Sequence, residues 1–127
     1  MQDRHLYEYA VLRVVPRVER EEFLNVGVIV YCARQKFLKA AFVFDENKLK
    51  AFAPGMDLEV LKENLEAFAR VCKGEKNGGP IAALDLASRF RWLTAMRSTV
   101  LQTSRVHPGF CTDAALKLEE LVNEQIL

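Results

Sequence analysis

The segment MRSTVLQTSRVHPGF, residues 96–110, concentrates hydrogen-bond donors without any acidic side chain. No aspartate or glutamate occurs between Asp85 and Asp113. An arginine offers paired donors to two oxygens of a carboxylate or phosphate, and hydroxyl and amide groups fill the remaining lone pairs. The segment therefore predicts a site for an anion. Its candidate ligand-binding residues are Arg97, Ser98, Gln102, Ser104 and His107.

A second group of polar residues lies near the N-terminus, where Arg13 interrupts the apolar run VLRVV. A charge in such a run must reach water, a carboxylate or a ligand, because an unpaired buried charge is costly. Arg20, Glu22 and Asn25 follow, and an ion pair between Arg13 and Glu22 is the structural alternative to a site. We expect Asn25 to end a connection with a left-handed backbone, and Gly27 to mark a bulge or a close backbone approach.

The same donors also have an ordinary structural explanation. Arginines in the acid-free window could cap helix ends, or pair with Glu119, Glu120 or the cluster at residues 19–22. Both explanations stay open at the level of the sequence.

Length and composition predict one domain over residues 1–127, since the chain is half apolar and 28% charged. The net charge of +1 argues against a strongly basic nucleic-acid binder, although a local patch is compatible with it. No apolar run approaches the roughly 20 residues of a membrane helix, and the N-terminus lacks the pattern of a signal peptide. Three widely spaced cysteines are expected to stay reduced. A cytoplasmic protein with no membrane association follows.

The hydrophobic pattern predicts an α+β fold, in which a small antiparallel sheet of three to four strands packs against about three helices. A helix over residues 57–72 is the clearest element, because apolar residues recur at helical spacing behind an N-cap aspartate. Residues 84–94 favour a helix but also permit a strand, and a last helix follows Thr112 and Asp113. The predicted strands are Leu6–Val15, Asn25–Ala33, Phe37–Phe44 and Thr99–Arg105.

Motifs of catalysis are absent from the sequence, which has no zinc-protease, serine-hydrolase or phosphate-loop pattern. His107 is the acid–base candidate. A set of Ser98 or Ser104 with His107 and a distant acid is conceivable, but these common residue types do not form a motif. No metal or cofactor is expected.

Two blocks, YEYAVLRVVPRVEREEFLNVGVIVYC at residues 7–32 and RFRWLTAMRSTVLQTSRVHPGF at residues 89–110, resemble the bacterial family known as domain of unknown function 3037. The family pattern matches this chain at Tyr7, Tyr9, Arg13, Arg20, Glu22, Asn25, Gly27, Trp92, Arg97, Ser98, Gln102, Ser104, His107 and Gly109. The resemblance implies no reaction. Its members are often encoded beside HipA-like kinases, which implies an accessory role with such a kinase or another protein partner.

The leading hypothesis is a noncatalytic accessory module whose two blocks converge to hold a phosphate-bearing ligand or an acidic partner segment. One alternative is a small nucleotide- or nucleic-acid-processing enzyme, with His107 as acid–base group and Arg13 and Arg97 as charge stabilisers. The other is a purely structural subunit. We predict that Arg13, Glu22 or Asn25 lies close to Arg97, Gln102 or His107.

Overall fold

The computed structural model describes residues 4–17, 20–95 and 99–127, which form an antiparallel sheet of five strands with four α-helices. The strands are β1 (His5–Val14), β2 (Leu24–Cys32), β3 (Phe37–Phe42), β4 (Leu101–Thr103) and β5 (His107–Cys111). The helices are α1 (Glu46–Phe52), α2 (Leu58–Lys73), α3 (Leu86–Leu93) and α4 (Ala114–Gln125), with short 3₁₀ turns at Lys76–Gly78 and Pro80–Ala83. The α+β class is confirmed. The sheet has one strand more than predicted, and there is one helix more.

The additional strand arises because the edge of the sheet beside β1 is interrupted, so that it consists of two short strands. β4 and β5 both pair with β1, at opposite ends of that strand. Between them Ser104 bonds twice to Val11: its N–H donates to the Val11 carbonyl at 2.8 Å, and its Oγ accepts from the Val11 N–H at 2.9 Å. The predicted strand over residues 99–105 is therefore only β4. Pro108 and Gly109 concealed β5, because both residue types are depleted in strands.

The two faces of the sheet support two separate cores, since side chains alternate along each strand. On the α2 face, Leu12 and Val14 pack with α2 and α3 in a cluster that includes Leu61 and Phe90. On the α4 face, Val11 and Val28 pack with Leu118 and its neighbours on α4. α4 packs chiefly on β2 and β3.

Helix α2 forms as the sequence predicts. The Asp57 carboxylate accepts from the N–H groups of Glu59 and Val60, and Gly74 ends the helix with a left-handed φ of 72°. Its buried residues are Leu61, Leu65, Phe68, Val71 and Cys72. The predicted helix over residues 84–94 is confirmed as α3, which begins behind Asp85. α1, unpredicted, is only seven residues long, too short for a clear periodicity.

Gly27 is a close-approach position, as predicted. A β-carbon there would lie 2.6 Å from the Ala41 carbonyl oxygen, and the pairing of β1 with β2 shifts register between Leu12 and Arg13. The expectation for Asn25 is wrong, because this residue lies within β2 in extended backbone. The left-handed conformation occurs earlier in the connection, at Glu21, with a φ of 57°.

Within the described ranges, no helix is both long enough and apolar enough to cross a membrane.

Candidate functional site

The two polar blocks meet within the sheet, where one residue from each of three neighbouring strands lies side by side. Arg13 of β1 lies opposite Asn25 of β2 on one side and opposite Gln102 of β4 on the other. Directly opposed residues in antiparallel strands carry their side chains on the same face. Since Val11, two residues away on β1, packs in the α4 core, this row lies on the α4 face. We call Asn25, Arg13 and Gln102 the polar row.

Arg13 is the only cation of the polar row, and its guanidinium stacks on an aromatic ring. Its Cζ lies 3.9 Å from the centroid of Phe23, in the connection between β1 and β2. The Nε atom is buried without a hydrogen-bond partner. Burial lowers the pKa of Arg13 below its ordinary value, because desolvation disfavours the charged form. Arg13 is thus a partly desolvated cation held in a defined plane.

The expected ion pair between Arg13 and Glu22 is wrong. Glu22 instead pairs with Arg20 at 3.0 Å, and both side chains are more than half exposed. Among the described residues, no carboxylate lies within salt-bridge distance of Arg13. Glu22 pairs locally because it and Arg20 lie in the same short connection. Arg20 and Glu22 line a different feature, a cavity of about 450 Å³ beside the start of α2.

The amides of the polar row are tied to neighbouring backbone. Gln102 Nε2 donates to the Thr99 carbonyl at 2.7 Å, and Asn25 Nδ2 donates to the Gln125 carbonyl at 3.4 Å. Asn25 Oδ1 is buried without a partner. These bonds connect the row to the segment before β4 and to the end of α4. Two amides thereby stand beside the Arg13 cation with hydrogen-bonding capacity remaining.

The remaining members of the second block lie along the same face or outside the described residues. His107 of β5 is opposite Tyr9 of β1, with ring centroids 5.2 Å apart. Ser104 is buried, and its Oγ donates to the Arg105 carbonyl at 2.9 Å in addition to its bond with Val11. Arg97 and Ser98, which the sequence predicts as ligand-binding residues, lie outside the described part of the chain.

Two other arginines of the acid-free window have structural partners. Arg91 makes a bidentate contact with Glu8, at 2.8 and 3.1 Å, and this bond holds the pKa of Arg91 above its ordinary value. Arg89 is buried and donates to the carbonyls of Val71 and Cys72 at the end of α2. The helix-capping explanation therefore holds for Arg89. The expected acidic partners at the C-terminus are not used by Arg89 or Arg91; Glu120 pairs with Lys117.

Reactive groups are scarce in the described ranges. No group of three His, Cys, Asp or Glu residues there could hold a metal ion. Cys32, Cys72 and Cys111 are free thiols and all buried. Burial raises the pKa of Cys111 and raises that of Cys72 to about 11, so neither thiol is activated as a nucleophile.

Sequence reasoning missed Phe23 as a site residue. The sequence does contain a signal, because Phe23 is an apolar residue in the charged segment EREEFLN. In the structure Phe23 is 46% exposed. The stacking of an arginine on an exposed ring fixes the guanidinium plane while leaving donors at its edge. Such a group suits a planar carboxylate or a phosphate.

Comparison with known proteins places the chain by family rather than by activity. No curated protein and no solved structure matches it. The family model described as "Protein of unknown function (DUF3037)" matches residues 9–126, which covers nearly the whole chain and includes the full polar row. The chain therefore belongs to the DUF3037 family of proteins of unknown function.

Proposed function

We propose that this protein is a noncatalytic accessory module of the cytoplasm, whose polar row binds a phosphate or carboxylate group. The observation that carries the proposal is Arg13. It is a partly buried guanidinium, stacked on Phe23, for which the described residues supply no acid. An oxyanion bound by this guanidinium would compensate the desolvation of its charge.

Binding is favoured over catalysis by the state of the candidate reactive groups. Ser104 Oγ is already engaged in two hydrogen bonds. In the described part of the chain, no carboxylate pairs with His107 to orient it, and its ring lies against Tyr9. A general base needs a substrate proton within reach and a group that fixes its tautomer. The described residues therefore give no support to the nucleotide- or nucleic-acid-processing alternative.

The anion has two sources, a phosphate-bearing ligand or an acidic segment of a protein partner. The family resemblance suggests a HipA-like kinase as that partner. The exposed ring of Phe23 beside Arg13 supports a protein segment, because aromatic and arginine side chains together are typical anchors of protein interfaces.

A titration with inorganic phosphate, and then with an O-phosphoserine peptide, tests the anion site. The arginine Nε–Hε signals are followed by NMR in the native protein, and binding to Arg13→Lys is followed through the backbone amide signals of the neighbouring strands. We expect the Arg13 signal to shift on titration and the signal of Arg91, which is already paired with Glu8, to stay in place. Arg13→Lys should weaken binding about tenfold, because a lysine cannot make the bidentate contact. Equal shifts at both arginines would show nonspecific ion binding and contradict the proposal.

A pull-down with the neighbouring HipA-like kinase tests the partner. Arg13→Ala should lose the kinase while Arg91→Ala retains it, at a temperature where both variants stay folded. If both variants retain the kinase, the polar row does not take part in the interaction. If duplex nucleic acid is bound instead, the slope of affinity against salt should fall by about one in Arg13→Ala.

A further inference from the structure

A cavity of about 370 Å³ lies between β4, α2 and α3, and Gln102 of the polar row is one of its lining residues. Its walls include the buried residues Phe68 and Val71 of α2 and Leu93 of α3, together with Leu101 of β4. Cavities for small molecules begin at roughly 300 Å³ and combine apolar walls with a few polar groups. The volume suits a body of one or two fused rings.

The polar lining of this cavity is neutral except at one residue. Asn64, Asn77, Thr99, Gln102 and Thr103 contribute amides and hydroxyls. Arg70 is the only charged residue among the described lining residues. Its guanidinium has no salt-bridge partner within the described ranges. A ligand with an apolar body and one negative group would match both parts of the lining.

We propose that this cavity binds a small aromatic carboxylate or sulfonate, with its rings against Phe68, Val71 and Leu101 and its anionic group at Arg70. Because the described lining contains one arginine and no acid, its charge favours an anionic ligand over a cationic one. A neutral apolar ligand would leave the Arg70 charge uncompensated, since hydrogen bonds to charged groups contribute more than neutral ones. The cavity shares Gln102 with the polar row but does not include Arg13, and the proposal does not rest on the function proposed for that row.

The chain carries its own reporter for the cavity. Trp92, the single tryptophan of the sequence, is one of the lining residues. A fluorescent aromatic ligand bound there should accept energy from Trp92. Transfer from Trp92 shows that the probe is bound to this chain, and the cavity variants below locate the site within it.

The test uses two probes that differ in charge, 1-anilinonaphthalene-8-sulfonate and the uncharged N-phenyl-1-naphthylamine. Each is titrated into the full chain while quenching of Trp92 and sensitised probe emission are followed. We expect saturable transfer with the sulfonate. Arg70→Met should weaken the sulfonate about tenfold and the uncharged probe less than about twofold, because a charge-assisted hydrogen bond is lost only with the first.

Ala67→Phe provides a second variant. Ala67 is an exposed residue of α2 that lines the cavity, and a phenylalanine ring at this position should fill part of the cavity. It should weaken both probes at least about tenfold. Ala51→Phe and Lys50→Met, at exposed positions of α1, are the matched controls and should leave both titrations unchanged. If Ala67→Phe binds the sulfonate with the native affinity, the probe does not bind in this cavity and the proposal is wrong. Equal weakening of both probes by Arg70→Met would overturn the anionic class of ligand.

Discussion

The charged residues on the two faces of strand β1 have different surroundings. Glu8 is bound by Arg91 of α3, so the cation has a defined structural partner. Arg13, five residues further along the strand, has an aromatic ring beside it and no acid among the described residues. The pKa values of the two arginines differ in the same way. The bond to Glu8 raises the pKa of Arg91, and burial lowers the pKa of Arg13. Arg91 has a partner within the fold, whereas Arg13 has no acid among the described residues, and for this reason we propose Arg13 as the anion-binding residue.

The difference follows from how the helices are placed. α2 and α3 close the α2 face, with Phe90, Leu61 and Leu65 fully buried against the sheet. α4 lies chiefly on β2 and β3, so the part of the α4 face formed by β1, β4 and β5 receives less cover. A surface that the protein does not cover with its own helices is where a partner can be accommodated.

The largest expected effects are losses in the free energy of unfolding when a leucine is truncated in each of the two cores. Leu61→Ala, on the α2 face, should lower the free energy of unfolding by about 3 to 4 kcal/mol, and Leu118→Ala, on the α4 face, by about 2 to 3 kcal/mol. Urea unfolding measures both. Leu116→Ala is the control on α4, because Leu116 is exposed and should change little. The larger loss is expected at Leu61 because two helices close the α2 face, whereas α4 alone covers the other. A larger loss at Leu118 would contradict this expectation.

The second effect is a dependence of stability on pH at Cys72, in the α2 core. Burial raises the pKa of this thiol from 9.0 to about 11. The folded state therefore binds the proton more tightly than the unfolded state, so its contribution is complete below pH 9 and is lost as pH rises towards 11. The loss should be on the order of 2 to 3 kcal/mol, which is the free energy that corresponds to the difference between the two pKa values. Urea unfolding at pH 8 and pH 11 measures it; Cys72→Ala should show a smaller difference, and an identical one would refute the assignment.

A smaller effect is expected for the paired arginine. Arg91→Met should lower the free energy of unfolding by less than about 1 kcal/mol, because the Arg91 side chain is 59% exposed and water screens the pair. A double-mutant cycle with Glu8→Gln isolates the coupling. No coupling at low salt would show that this bidentate contact does not hold α3 to β1.

The smallest effect on stability is expected for the unpaired arginine. Arg13→Met should change the free energy of unfolding by less than about 0.5 kcal/mol, or increase it, because a desolvated charge without an acid is removed. Thermal unfolding of Arg13→Met beside Arg91→Met measures the contrast. If Arg13→Met is the more destabilised of the two, Arg13 is a structural residue and the comparison fails.

The sequence predicts elements better than it predicts partners. β1, β2, β3 and α2 followed from local hydrophobic pattern, and the same pattern placed Arg13 in a strand. That Gln102 lies opposite Arg13 depends on the register of strands almost ninety residues apart, which no local pattern encodes. The pairing of Arg91 with Glu8 is hidden for the same reason.

Local rules also failed where two of them competed. Pro108 and Gly109 are typical of a turn, yet both lie in β5. Proline is tolerated there because β5 is an edge strand, which pairs with β1 alone in the described sheet. Gly109 lies directly against the ring of Tyr7, where a β-carbon would be 2.7 Å from the ring atoms.

The break at Ser104 has a consequence for the protein in a crowded cell. A long, regular edge strand offers a row of free backbone groups to which another chain can add, and this is a common route to aggregation. Here the outer edge is divided by the Ser104 interruption into a three-residue and a five-residue strand, the second carrying a proline. Neither piece offers a continuous template. Any self-association by strand addition is therefore directed to the opposite edge of the sheet, at β3.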